Sequence, residues 1–201
     1  MFKEKEADID KVFELDLSSL KMDCLGEYID YVTMINKRVL YLWEEVNSDV
    51  AAYVIKRLMF MTSKSNEPIR LIINSIGGDV YCSLMVYDSI INLTNKGIEI
   101  ICEGCGLVAS GAALILQAGS KRVATKHTRI MIHEITSLTV GKTSEQEEQV
   151  KEIKKLNDML NEILAERTGK TVNEITTLCK KKDVWFSVEE AKKFGLIDEI
   201  I

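Results

Sequence analysis

A hydroxyl and an imidazole within hydrogen-bond reach of each other can split an acyl bond, so the few histidines of this sequence are the place to begin. There are two. His127 sits among Lys126, Thr128 and Arg129 and reads as exposed. His133 ends the apolar run Ile130-Met131-Ile132. It is either a satisfied core histidine or a base presented at a strand end. Ser110 stands where a strand-like segment meets a helix start, among the small residues Ala109, Gly111, Ala112 and Ala113. One reading is a plain N-cap serine. The other is a nucleophile raised on a tight turn, with the Gly111 N–H available to a developing oxyanion. The surroundings are not a G-x-S-x-G elbow. A base in such a set needs a carboxylate to fix its tautomer. Asp183, between Lys180-Lys181-Lys182 and Val184-Trp185-Phe186, could supply it or could be a solvated loop acid, and spacing alone does not choose.

Two further features invite chemistry. Gly77-Gly78 lies between a strand-like and a helix-like segment, where glycines let the backbone turn sharply and expose N–H groups; a purely structural turn has the same signature. Cys102-Glu103-Gly104-Cys105 is a C-x-x-C. Redox or half of a zinc site is one reading, and two small buried residues near a strand end is the other. Residues three apart on a strand face opposite ways, and no second pair completes four ligands, so no metal is expected.

The elements that must position these residues alternate. Val39 to Trp43 is a short apolar run suited to a strand. Asn47 or Ser48 can cap a helix striped by Val50, Val54, Leu58 and Met61. Arg70 to Asn74 is a second strand, and a helix follows Gly77-Gly78 with Val80, Leu84, Tyr87 and Ile91 on one face and Asp79 in its first turn. Ile98 to Cys102 is a third strand, broken by Gly104 and Gly106. A small-residue helix spans roughly 110–118, closed by Gly119. Arg122 to Thr125 and Arg129 to Ile132 are further strands. The clearest helix covers 145–168, striped by Val150, Ile153, Leu156, Leu160, Ile163 and Leu164 and ended by Gly169. Ser187 and Glu190 form a capping box for a last short helix ending near Gly195. Such alternation implies βαβ units and an α/β class.

Composition limits what the site can serve. The 201 residues hold one proline and no linker-like stretch, so a single domain is expected over 23–201. Residues 1–22 form an N-terminal arm, read either as a helix carrying Ile9, Phe13, Leu17 and Leu20 or as a mobile segment. A net charge of −5 with scattered basic residues argues against nucleic acid. No apolar run reaches the length of a membrane span. The start has no apolar h-region, and five cysteines without a signal point to a reducing, cytoplasmic setting.

Five blocks, in order, resemble the ClpP family, the proteolytic subunits of ATP-dependent Clp proteases. They are Ile73-Asn74-Ser75-Ile76-Gly77-Gly78; Tyr87-Asp88; Gly106-Leu107-Val108-Ala109-Ser110; Arg129-Ile130-Met131-Ile132-His133; and Glu190 through Asp198. The resemblance runs from about Arg38 to Ile201. It implies a crotonase-like ClpP fold, a spiral of ββα and βαβ units with a protruding strand–helix handle, here roughly 134–168. It implies Ser110 as nucleophile, His133 as base and Asp183 as third member, since Ser187 and Glu190-Ala191 fix the register behind that aspartate. The oxyanion N–H groups map to Gly78 and Gly111. The implied function is a serine endopeptidase that cleaves unfolded polypeptides inside a chamber. The implied assembly is a tetradecamer of two heptameric rings, fed by an AAA+ unfoldase such as ClpX or ClpA. No cofactor is implied, because ATP is used by that partner. A catalytically silent subunit of a mixed ring and a crotonase-type acyl-CoA enzyme are the competing readings. The sequence departs from the family pattern at Ile76, usually proline; at Glu134-Ile135, usually Gln-Pro; at Gly111, usually methionine; and at Val184, often an arginine that links ring assembly to activity. Residues 1–22 carry no match to the family's axial gating segment.

Overall fold

The computed structural model describes residue 32 and residues 34–201. The expected boundary near residue 22 and the expected helix over Ile9–Leu20 lie outside the described residues. Residues 34–37 are helical. The fold that follows belongs to the unit Arg38–Ile201.

Its elements alternate as the pattern requires. β1 (Val39–Leu42) leads through Asn47 into α1 (Ser48–Lys64). Asn47 caps this helix by accepting the N–H groups of Asp49 and Val50 at 3.0 Å. β2 (Ile69–Ser75) leads to α2 (Val80–Thr94), whose N-cap Asp79 accepts the Cys82 N–H at 2.8 Å. β3 (Ile100–Ala109) leads to the short α3 (Gly111–Gln117). Then come β4 (Lys121–Ala124), β5 (Arg129–Ile132), the long α4 (Thr143–Thr168), α5 (Val172–Cys179), β6 (Val184–Phe186), α6 (Val188–Phe194) and β7 (Glu199–Ile200). The sheet order is β1-β2-β3-β4-β7, all parallel. β5 pairs in parallel with the far half of β3 and antiparallel with β6.

Gly104 and Gly106 do not end β3, contrary to the sequence expectation. The strand runs through them and changes partner. Ile101–Gly104 pairs with β4, and Leu107–Ala109 pairs with β5. Between these halves the register with β2 jumps from Ile73↔Gly104 to Ser75↔Val108. Such a bulge bends the strand. Gly106, at φ +78°, sits at the bend, where a Cβ would lie 3.0 Å from Asn74 Oδ1, the atom that accepts the Leu107 N–H. The C-x-x-C is therefore mid-strand. Cys102 is wholly buried, and burial pushes its thiol up to about 12, while Cys105 is half-buried.

One helix buries its expected face with a single exchange, and another buries a different face. α1 turns Ala51 inward with Val54, Leu58 and Met61, leaving Val50 half-buried. α2 buries Ser83, Val86, Tyr87 and Ile90 rather than a stripe from Val80 to Ile91. Apolar residues ring this helix, so periodicity alone selects no face. Close packing does: a Cβ on Gly111 would lie 2.2 Å from Ser83 Oγ, so α2 approaches α3 through its smallest residue. Along α4 the buried residues are Leu156, Asn161, Leu164 and Ala165, and Val150 is exposed. The segment 134–142 leading into α4 belongs to no strand. α5, β6 and β7 were not expected from sequence.

β1 and β2 alternate strictly between covered and open positions. The inner side holds Leu40, Leu42, Ile69, Leu71 and Ile73, all fully buried. The outer side holds the exposed Tyr41 and Trp43 and the half-buried Ile72.

Candidate active site

The turn between β3 and α3 carries Ser110. It holds φ 54° and ψ −125°, a conformation rare for any residue but glycine. Its N–H donates to the Met131 carbonyl at 2.9 Å, which ties the turn to β5. From the other side the Gly77-Gly78 turn packs directly beneath. A Cβ on Gly77 would lie 2.6 Å from the Ala109 carbonyl oxygen and 2.7 Å from both Ser110 Cβ and the Gly111 nitrogen. That glycine turn is itself pinned, because Val46 N–H donates to Gly77 O at 2.7 Å and Asp79 N–H to Val46 O at 2.8 Å. Strain of this kind persists only where the surroundings over-determine it.

His133 follows the last residue of β5. Its Nε2 lies 2.7 Å from Ser110 Oγ. The antiparallel pairing of β5 with β6 supplies the third group. Ile132 faces Val184 in that ladder, so the next pair out is His133 and Asp183. Asp183 Oδ1 lies 3.3 Å from His133 Nδ1. The side chains differ in exposure, 19% for the imidazole and 58% for the carboxylate. The three residues left open by spacing thus meet in one line, carboxylate to imidazole to hydroxyl. His127 is exposed in the β4–β5 turn, at the other end of β5.

Gly78 and Gly111, the two glycines assigned to the oxyanion site, border the same cavity as Ser110 and His133. A Cβ on Gly111 would lie 3.5 Å from the Gly78 nitrogen, so the two N–H groups are neighbours. Neither donates to any acceptor among the described residues. Two free donors beside a serine hydroxyl could hold the oxyanion of a tetrahedral intermediate.

The cavity measures about 430 Å³. Sequence reasoning missed its walls. Leu114 of α3 and Ile153, Leu156 and Leu160 of α4 form an apolar side, with Asn161 deep in the pocket. Asn161 Nδ2 donates to Thr176 Oγ1 at 3.1 Å, joining α4 to α5. Much of the stripe read along α4 therefore serves the site of this same chain. The signal was present in its periodicity; its destination was not.

A family model described as Clp protease matches residues 26–201. The chain is 38% identical over 179 residues to ATP-dependent Clp protease proteolytic subunit 2 of Prochlorococcus marinus strain MIT 9312, covering 87% of this chain and 86% of that protein. It is 37% identical over 182 residues to proteolytic subunit 3 of Synechococcus sp. strain CC9902, covering 88% and 89%. Among solved structures it is similar to a mutant of ClpP1 from Listeria monocytogenes, with a TM-score of 0.75 and 34% identity over 84% of this chain and 94% of that one. Ser110 on its strained turn, His133 just past β5 and Asp183 just before β6 thus stand on a fold and sequence shared with these proteins, and the chain belongs to the Clp protease family.

Proposed function

We propose that this chain is an active serine peptidase subunit in which Ser110, His133 and Asp183 act as nucleophile, base and orienting acid. The observation that carries the reading is the contact line of 2.7 Å and 3.3 Å through His133. His133 Nε2 takes the Ser110 proton as Oγ attacks the scissile carbonyl carbon. The oxyanion that forms is held by the Gly78 and Gly111 N–H groups. His133 then returns the proton to the leaving amine, and water releases the acyl group from Ser110 by the reverse route. Asp183 keeps Nδ1 protonated and balances the charge on the imidazolium. The change from methionine to Gly111 retains a backbone N–H, which is all this step uses. A crotonase-type acyl-CoA reading has no use for the contact line, and a silent subunit would have no reason to keep it.

Two features of the single chain favour assembly into a ring, as the family resemblance implies. Parallel sheets are ordinarily covered on both faces, yet β1 and β2 leave Tyr41, Trp43 and Ile72 on an outer face. The unpaired segment 134–142 presents Leu138 and Val140, 90% and 76% exposed. The proposed assembly is two stacked heptameric rings enclosing the sites, to which an AAA+ unfoldase such as ClpX or ClpA delivers unfolded chains. ATP is used by that partner, and the chemistry here needs no cofactor. No helix among the described residues is long and apolar enough to cross a membrane, and the proposed setting is the cytoplasm.

The test is a fluorophosphonate probe with peptide mapping. Covalent capture at Ser110, lost in His133→Ala, is expected. Labelling at another residue, or none in a protein that hydrolyses peptides, overturns the assignment.

A further inference from the structure

The orienting acid arrives on a strained turn. The Lys182 N–H donates to the Cys179 carbonyl at 3.3 Å. Lys180 has φ −61° and ψ 114°, and Lys181 has φ 60°. These values describe a type II turn, whose third residue needs positive φ and is ordinarily glycine or asparagine. A lysine there is disfavoured by its Cβ. The structure compensates from outside the turn. Glu134 Oε1 accepts the Lys181 N–H at 3.0 Å. Glu134 directly follows His133, so one side chain links the strand end that carries the imidazole to the turn that carries the carboxylate. Burial, and then the charge of Glu134, push the Cys179 thiol up to about 11. Asp183 has need of such a hold. It is the most exposed member of the triad, and His133 is the only polar partner of its carboxylate among the described residues.

We propose that Glu134 is a positioning residue: by capturing the Lys181 N–H it fixes the Lys180–Lys182 turn and keeps Asp183 within reach of His133. The inference rests on the triad reading above. The partner is a neutral amide, so the interaction requires an acceptor oxygen and not a negative charge. Four variants of the full chain test it: Glu134→Ala, Glu134→Gln, the pair Glu134→Ala with Lys181→Gly, and Asp183→Asn. The readouts are kcat and KM on a fluorogenic peptide and hydrogen-exchange protection across residues 179–184.

Glu134→Ala is expected to lower kcat about 10- to 100-fold, the cost of misplacing a catalytic group by roughly an ångström. KM should stay unchanged and protection at Lys181 should be lost. Glu134→Gln should match the wild type in both, because its amide oxygen accepts the same bond. Lys181→Gly should restore most of the kcat lost in Glu134→Ala, since glycine takes the turn unaided. Wild-type kcat in Glu134→Ala, or equal damage from Glu134→Gln, overturns the proposal. The Asp183→Asn variant separates this failure from failure of the triad. A fully active Asp183→Asn defeats the triad reading itself, whereas an impaired Asp183→Asn beside an intact Glu134→Ala defeats only the positioning role.

Discussion

At the scale of single residues, three side chains and one glycine decide the outcome. Ser110→Ala removes the attacking oxygen and should lower kcat by on the order of 10⁶, the loss seen when a triad nucleophile is deleted, without a change in circular dichroism. His133→Ala should remove activity to a similar degree and His127→Ala should not, because only His133 reaches Ser110 Oγ. Asp183→Asn should cost roughly 10⁴ by analogy with other triads. Steady-state hydrolysis of a fluorogenic peptide checks the series, and activity surviving in Ser110→Ala or lost in His127→Ala defeats the mapping. Gly77→Ala makes a separate claim. A Cβ there meets three atoms of the Ser110 turn below 3.0 Å, at a φ of +92°. Its cost should appear both as a lower Tm and as a kcat reduced by roughly 10²-fold through displacement of the nucleophile; an unchanged kcat would show that the glycine turn does not support Ser110. The serine and the histidine were legible in the sequence as groups at the ends of clear elements, but spacing left their roles open. Asp183 was not, since its place depends on the ladder between β5 and β6, and three residues of β6 are too few to give a period. Only the family resemblance supplied it.

At the scale of elements, most strands and helices were legible in the sequence, whereas α5 was missed although its boundary signal is complete, and the short β6 and β7 were missed too. Asn47, Gly169 and the Ser187–Glu190 pair mark ends that the structure repeats. The same kind of signal, Thr171 with Glu174, marks the start of α5 and could have located that helix. β7 has two residues and no signal of its own. It is held in place by Arg122, which is 7% exposed and reaches across the C-terminal turn. The Arg122 guanidinium donates to Asp198, to Gln117 Oε1 at 2.8 Å and to the carbonyls of Arg167 and Gly195 at 3.0 and 2.7 Å. It thereby joins α3, α4, α6 and the chain end. Burial pushes the Asp198 carboxyl up, but the hydrogen bonds and charge of Arg122 outweigh it and hold the group below the usual carboxylate range. A depressed native pKa contributes stability that is present above the unfolded value, near pH 4, and is lost as pH falls through the native value. Asp198→Asn should therefore lower Tm at pH 7, and the gap from wild type should close as pH falls below about 4. A gap that stays constant over pH 7 to 3 would show that the carboxylate charge contributes nothing to this junction.

At the scale of the whole molecule, the question is where the apolar surface of the handle goes. In sequence the apolar residues of α4 form one stripe. In the folded chain it divides: Ile153, Leu156 and Leu160 turn toward the active-site cavity, and Leu156 is buried there. Charges at Leu156 and Leu160 would thus damage the site whatever the assembly, and cannot report on it. The apolar groups left outside are Leu138, Val140, Val150 and Met159. Leu138 and Val140 are two apart, so in an extended conformation they share one face. Their backbone is on the segment that joins no ladder in the single chain, and an unpaired extended segment is a template for a strand from another copy. Two-fold contact between facing subunits would pair this segment with itself and cover both side chains at once. Leu138→Asp with Val140→Asp should then reduce the assembly to single rings or smaller species, with the fold of each chain intact. Light scattering of wild type and variant at micromolar concentration, beside circular dichroism, is the measurement. A wild-type mass near 22.7 kDa together with full activity would defeat the oligomer. A variant that keeps the wild-type mass would place the contact between rings elsewhere, with the outer face of β1 and β2 the next surface to change. Peptidase activity should fall with the mass, because the same segment begins at His133 and reaches α4 without any other support from a ladder. In such an assembly the order of this segment would set how firmly the imidazole and the cavity wall are held.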